Sequence, residues 1–327
     1  MKKLLDVKKL HVTFSSRGEV LHAVRGLDFS LYESEIVGIV GESGCGKSAA
    51  LKALTQLNPR HTTLTEGNIL YEEQDLLSYS ERQMRKIRGK EIGMIFQDPM
   101  TSLNPTMKIG EQIMEGYLQH FPKAGRKKAK QRALELLHDV GIPDPEERFD
   151  AYPHTLSGGM RQRVMIALAL ACEPKILLAD EPTTALDVTI QAQILRLLKK
   201  LQETTKISIL LITHDMSVVA NLCDRVLVMY AGKIVENTTS SLLFSSPQHP
   251  YTKKLLAAIP KLDQPKTQRL LSIEGRPPHL THAFLGCGFC SRCDEAMGIC
   301  QKEDPPLFEP HEKHFSACFK HDPRCLP

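Results

Sequence analysis

Gly41-Glu42-Ser43-Gly44-Cys45-Gly46-Lys47-Ser48 fits the pattern G-x-x-x-x-G-K-[ST]. In such a loop backbone N–H groups surround phosphates, the lysine reaches the β and γ oxygens and the final hydroxyl binds Mg²⁺. The flanks supply the context this pattern requires. Before it, Glu35-Ile36-Val37-Gly38-Ile39-Val40 is a short, mostly apolar run with β-branched residues, as expected of a buried strand, and after it Ser48 to Leu54 reads as a helix. A helix N-terminus therefore points at the phosphates. Cys45 occupies an unspecified position of the pattern and is expected as a small side chain rather than a nucleophile.

Upstream of the loop, residues 4–14 and Val20 to Leu31 read as two strands, and Gly67 to Tyr71 adds another downstream. Glu81 to Arg88 is a charged helical stretch, and Ile92 to Phe96 returns to a buried-strand pattern that ends at Gln97. From about Asp98 to Ala171 the periodicity is mostly helical, broken at Asn104-Pro105 and between Pro143 and Pro145. Regular α/β alternation then resumes: a strand over Lys175 to Asp180, a helix near Ile190 to Gln202, a strand over Ile207 to Thr213 and a hairpin over Arg225 to Glu236. After about Pro260 prolines and glycines increase, and six of the nine cysteines fall between positions 287 and 325. A boundary is placed there.

Composition narrows the partners. With 42 basic and 38 acidic residues among 327, the net charge of +4 is too small to argue for nucleic acid. Met1-Lys2-Lys3-Leu4-Leu5 begins like a signal peptide, but Asp6, Lys8, Lys9 and His11 interrupt any apolar segment that could follow. No run of about 18 uncharged apolar residues could span a membrane. A cytosolic chain is expected, and in that reducing compartment the cysteines are read as metal or cluster ligands before disulfides. The basic run from Lys123 to Arg132 is read as a solvated helix face, or as a contact with anionic lipid.

The strand ending in Asp180-Glu181 is the second nucleotide motif: Asp180 can hold Mg²⁺, directly or through water, and Glu181 can polarise an attacking water. The ordered set of the loop at 41–48, Gln97, Leu156-Ser157-Gly158-Gly159-Met160, Asp180-Glu181-Pro182-Thr183, Ala185-Leu186-Asp187 and His214 resembles an ATP-binding cassette protein. The resemblance implies an α/β fold of the P-loop NTPase, ABC-type nucleotide-binding kind, with a RecA-like core, an antiparallel β subdomain and a helical subdomain at about 98–171. It further implies that Ser157, Gly158 and Gly159 contact the γ-phosphate held by the loop of a second subunit, so that two domains close around two ATP molecules. By the same resemblance Gln97 senses Mg²⁺ and the attacking water, His214 bonds the γ-phosphate, Asp187 couples the two sites and Phe14 stacks on adenine. His214 read without the other motifs is a locally satisfied histidine at a helix N-terminus, and the alternative for Phe14 is a core aromatic of the first hairpin. Met160 stands where the general family signature carries glutamine.

Longer segments narrow the resemblance. Phe96 to Pro105, Gly159 to Ala167, Ala179 to Thr189 and His249-Pro250-Tyr251-Thr252 are similar to the D-type ATPase subunit of bacterial oligopeptide, dipeptide and nickel importers, a subfamily with whose pattern Met160 is compatible. That implies a heterodimer with a second ATPase subunit, two membrane permeases above it, an external solute-binding protein feeding them, and a place on the cytoplasmic face of the inner membrane. The cargo would be peptides or, in the alternative, nickel complexes. A soluble ABC ATPase with an iron–sulfur redox-sensing role is the reading from a different class.

Cys287, Cys293, Cys300 and Cys318 follow C-x5-C-x6-C-x17-C. Four thiolates suit either a [4Fe–4S] cluster or tetrahedral zinc, and reduced, unliganded thiols are the third alternative. Similar importer ATPases carry such a tail, in several of them with the cluster. Cys290 could replace one of the four, Cys172 and Cys223 are expected in the core, and Cys325 is uncommitted. The expected organisation is therefore an ATPase domain over residues 1–260 and a small Cys-rich C-terminal extension over 261–327.

Overall fold

The computed structural model describes residues 2–16, 18–184, 186–259, 272–281 and 285–325. Ala185 and the boundary expected at about residue 260 lie outside the described residues. Along the chain run β1 (Lys3–Ser16), β2 (Glu19–Tyr32), β3 (Ile36–Val40), α1 (Lys47–Leu54), β4 (Thr63–Tyr71), β5 (Gln74–Asp75), α2 (Glu81–Ile87) and β6 (Ile92–Ile95). Five helices follow: α3 (Pro99–Ser102), α4 (Ile109–His120), α5 (Gly125–Asp139), α6 (Pro145–Phe149) and α7 (Gly158–Ala169). The chain then forms β7 (Ile176–Asp180), α8 (Val188–Thr205), β8 (Ser208–Thr213), α9 (Met216–Leu222), β9 (Arg225–Tyr230), β10 (Lys233–Thr239), α10 (Ser240–Ser245), α11 (Pro250–Ala257), β11 (Phe308–His311) and β12 (His314–Ser316).

Two compact units share these elements. One comprises Leu31–Glu35 and Ser78–Ile212 with the first two residues; the other comprises Lys3–Ser30, Ile36–Leu77 and Thr213–Pro327. In the first, β6, β7 and β8 pair in parallel, Ile92 opposite Ile176 and Asp180 opposite Ile212. Every residue of β7 and β8 is buried, which is why both read as continuous apolar runs instead of alternating ones. Helix α8 buries Ile194, Leu197, Leu198 and Leu201, the spacing of a single helical face. Helix α5 buries Ala129, Ala133, Leu136 and Leu137 and leaves Arg126, Lys127, Lys128 and Lys130 exposed, as a solvated face requires. Arg126 pairs with Glu111 at 2.8 Å, and Lys130 Nζ lies 5.0 Å from the centre of the Phe149 ring.

The second unit holds two sheets. In the antiparallel one, ordered β2-β1-β4-β5, Leu5 stands opposite Tyr71 and Phe14 opposite Thr63. The other runs β11-β12-β10-β9-β3, with β3 and β9 parallel, β12 antiparallel to β10 and β11 antiparallel to β12. Glu236 of β10, fully buried, receives His314 Nε2 at 2.7 Å and the backbone N–H groups of Gln248 and His249 at 2.7 and 2.9 Å. A buried carboxylate with three donors is compatible with the interior; an unpaired one is not.

Candidate nucleotide site and C-terminal cysteines

The loop between β3 and α1 closes on its own lysine. Lys47 is 5% exposed, and its ammonium donates to the carbonyls of Gly41 and Glu42 at 2.8 and 3.0 Å. Gly46 opens α1 at φ 105°, where a Cβ would lie 2.1 Å from the Ala23 carbonyl oxygen. Only glycine meets both demands. Ser43 and Gly44 are exposed and Ser48 is half-buried, while Cys45 is buried and burial raises its thiol pKa, the setting of an unreactive side chain.

Glu42 is held at both its ends. Its N–H donates to Tyr251 Oη at 2.9 Å, and its carboxylate receives Arg292 in a two-pronged pair, Nη1 to Oε2 at 2.7 Å and Nη2 to Oε1 at 3.0 Å. The Arg292 side chain is 3% exposed. Its remaining N–H groups reach Tyr230 Oη at 3.2 Å, the Ile273 carbonyl at 3.0 Å and the Glu274 carbonyl at 2.9 Å. All five guanidinium donors are therefore used, and the Glu42 carboxylate raises the Arg292 pKa above its already high value. Tyr230, Tyr251 and Phe289 pack their rings 4.6–5.3 Å apart beside this pair.

In the other unit, β7 delivers Asp180, 3% exposed, to the strand end, with Glu181 after it at φ 46°. That left-handed conformation costs a non-glycine residue on the order of 1–3 kcal/mol and persists only where its surroundings fix it. Here the Glu181 N–H bonds the Ile212 carbonyl at 3.0 Å, and its carboxylate receives Gln97 Nε2 at 3.1 Å and Thr184 Oγ1 at 2.9 Å. Gln97 and Glu181, separated by 84 positions in sequence, are thus brought within one hydrogen bond. Thr184 completes that arrangement, and a hydroxyl three residues after a strand-end acid was the available sequence signal for it.

Ser157 caps α7, its hydroxyl accepting from the Met160 N–H at 3.3 Å, and Asp187 caps α8 by accepting from the Ile190 N–H at 2.9 Å. Gly159 lies against the same Ile190, so the Ser157–Gly159 segment and the Asp187 cap are neighbours. Ser157 and Gly158 are exposed. His214 is exposed too, and the cap of α9 is Asp215, which accepts from the Ser217 N–H at 2.8 Å. Phe14 is half-buried on β1, outside the set of buried aromatic residues.

Towards the C-terminus, Cys287, Cys290, Cys293, Cys300 and Cys318 line one cavity together with His249 and Phe289. Burial, reinforced by the charges that Cys300, Cys318 and Cys293 would carry, pushes the Cys287 thiol up to about 12. Burial also raises Cys290, Cys293 and Cys318. Among the described residues no three His, Cys, Asp or Glu side chains are placed to hold one metal ion. Cys172 and Cys223 are buried, as expected of core residues.

Comparison with known proteins places this geometry. Residues 24–184 match the family described as ABC transporter, and residues 235–300 match the oligopeptide/dipeptide transporter C-terminal region. The dipeptide transport ATP-binding protein DppD of Bacillus subtilis is 50% identical over 325 residues, covering 99% of this chain and 96% of that one. The chain belongs to the ABC transporter ATP-binding family. The oligopeptide transport ATP-binding protein OppD of Bacillus subtilis is 52% identical over 314 residues, covering 96% of this ABC ATPase and 87% of the relative. Among solved structures, the dimeric post-hydrolysis state of the ATP-binding cassette MJ0796 bound to ADP and Pi matches with a TM-score of 0.65 at 29% identity, over 72% of this chain and 98% of that one. The fold is thus that of an ABC ATPase with mixed α/β sheets, and its ligand is ATP with Mg²⁺. Among the described residues no helix is long and apolar enough to cross a membrane.

Sequence reasoning left Arg292 and Tyr230 without a role. The signal for Arg292 was its position: a lone arginine inside Cys290-Ser291-Arg292-Cys293 sits where the cysteine framework encloses it, and an enclosed arginine needs a carboxylate.

Proposed function

We propose that this chain is the ATP-binding and hydrolysing subunit that powers peptide import across the bacterial inner membrane. The observation that carries the reading is the near full-length identity with dipeptide and oligopeptide transport ATP-binding proteins. The phosphate loop and the Gln97–Glu181 pair supply the matching chemistry. Lys47 and the loop N–H groups bind the β and γ phosphates; Ser48, Asp180 and Gln97 hold Mg²⁺ and its water shell; Phe14 stacks on the base. Glu181 is the general base for the attacking water, and the Gln97 amide and Thr184 hydroxyl orient its carboxylate. His214 bonds the γ-phosphate, and Ser157, Gly158 and Gly159 approach the nucleotide of a second ATPase subunit, with Asp187 coupling the two sites. The partners are that second subunit in a heterodimer, two permeases and, through them, an external binding protein; the ATPase works on the cytoplasmic face. ATP drives transport by binding the closed dimer better than the open one.

Replacing Glu181 by Gln tests this reading. ATP binding is retained, the ATP-bound dimer accumulates and turnover falls by about 10²–10⁴-fold, the contribution usual for a positioned general base. Unchanged turnover in the assembled transporter removes Glu181 from that role. Peptide-stimulated hydrolysis in the same assembly, set against stimulation by nickel complexes, identifies the cargo.

The organisation that fits this function is an ATPase domain over residues 1–260 and a Cys-rich extension over 261–327 that holds a [4Fe–4S] cluster. Cys287, Cys293, Cys300 and Cys318 would ligate it, with Cys290 as a substitute. Their common cavity supports the fit. A single zinc ion, with Zn–S bonds of about 2.3 Å, needs a compact donor group, whereas a cluster spreads four thiolates over four irons. When bound, the cluster supplies a covalent cross-brace and a one-electron redox centre. Anaerobically purified protein is expected to contain about four irons and four acid-labile sulfides per chain; stoichiometric zinc without iron overturns the assignment.

A further inference from the structure

The contact that ties the C-terminal extension to the phosphate loop is unused by the function proposed above. Arg292 is separated from Glu42 by 250 positions, yet it meets the second residue of the loop with both prongs of its guanidinium. The remaining guanidinium hydrogens go to Tyr230 and to two carbonyls of the segment just upstream. Arg292 is thus fixed by Tyr230 and by the carbonyls of Ile273 and Glu274 as well as by Glu42, a preorganised clamp rather than a mobile surface charge. Glu42 passes the constraint on. Its amide is held by Tyr251 Oη and its carbonyl accepts the Lys47 ammonium, so the side chain, the N–H and the C=O of this one residue all have fixed partners.

The charge matters as much as the geometry. A carboxylate on a loop that must gather the negative oxygens of a triphosphate opposes binding, unless a cation offsets it. Arg292 is that cation.

We infer that Arg292 is a positioning residue of the nucleotide site: the C-terminal extension reaches into the phosphate loop, neutralises Glu42 and holds it in place, so that ATP affinity depends on the extension. Glu42 bonded to Arg292 keeps its charge away from the phosphates and its carbonyl on Lys47. Without Arg292 the half-buried carboxylate turns towards water and draws the loop with it. The inference rests on reading residues 41–48 as the phosphate loop of an ATP site.

Equilibrium titration of the full chain with a fluorescent ATP analogue, without Mg²⁺ to prevent hydrolysis, tests it. Arg292→Ala is expected to raise the dissociation constant about tenfold, a coupling typical of residues that act through another. Arg292→Lys falls between, because an ammonium offsets the charge but cannot make the two-pronged contact. Adding Glu42→Gln to Arg292→Ala should recover about threefold of the loss, since the unmasked charge is gone, and raising the salt concentration should shrink the Arg292→Ala penalty. In the assembled transporter the loss appears in KM more than in kcat. A bare structural staple predicts otherwise: a lower melting temperature, an unchanged dissociation constant and no recovery from Glu42→Gln. That outcome overturns the inference. Should Arg292→Ala fail to fold, Arg292→Lys and its combination with Glu42→Gln carry the same comparison. A wild-type chain that binds no ATP analogue refutes the nucleotide reading itself.

Discussion

Gly159 shows how little room the signature segment leaves. A Cβ built there would stand 2.8 Å from Cγ2 of Ile190, a methyl on a branched carbon that cannot swing away as the end of a long side chain would. Gly159→Ala must therefore push α7 from α8, at a cost of about 1–3 kcal/mol, the usual range for overpacking. Thermal or denaturant unfolding measures that loss. Because Ile190 is only half-buried, truncating it to Ala should relieve the clash at small cost of its own, so Gly159→Ala with Ile190→Ala recovers most of the stability. Additive losses in the double variant would show that the contact does not set the spacing. Glu181 is the contrasting case, a residue whose strain is held by three bonds instead of avoided by the choice of residue. Both features were legible as motif positions in the sequence. Their physical reasons were not, since Ile190 lies 31 positions from Gly159 and nothing in the signature names it.

At the level of elements, legibility followed burial on both faces. Strands β3, β7 and β8 are buried throughout, so each reads as an unbroken apolar run and its ends fall within a residue or two of expectation. Helix α8 was visible by its single apolar face, though it extends to Val188 and Thr205 at its ends because Asp187 caps the first turn and Lys206, at φ 58°, stops the last. Strand β4 begins at Thr63, four residues before the expected start: Thr63 to Glu66 pair with Phe14 to His11, and cross-strand pairing, not apolar content, makes them a strand. The same physics hid β11 and β12. Phe308-Glu309-Pro310-His311 and His314-Phe315-Ser316 carry no alternation to weigh; β12 is a strand because β10 offers Glu236 and Asn237 as partners, and β11 because β12 in turn pairs with it. Helices α9, α10 and α11, six to eight residues long, also went unread: unlike α1, they follow no phosphate-loop motif that calls for a helix.

At the scale of the whole molecule, the unit that contains the phosphate loop also contains the C-terminal strands, and a buried carboxylate joins them. Glu236 binds His314 of β12 on one side and the backbone entering α11 on the other; α11 in turn carries Tyr251, whose hydroxyl accepts from Glu42 in the phosphate loop. A chain of buried polar contacts of this kind opens as a unit, because leaving any member unsatisfied costs about 1–3 kcal/mol. Hydrogen exchange should therefore show β12 amides protected to nearly the same free energy as those of β9 and β10, instead of fraying as terminal strands usually do. His314→Leu fills a similar volume and removes one of the three donors to Glu236. It is expected to lower protection selectively at residues 308–316 while residues 225–230 of the parallel β3–β9 pair keep theirs. If β12 in the unsubstituted protein already exchanges by local opening, with β9 and β10 protected, the C-terminal strands are an appendage and Glu236 is satisfied without them. If instead they open together, the clamp at Arg292 is anchored in the same cooperative unit as the loop it holds, which is the condition for the extension to set the geometry of the nucleotide site.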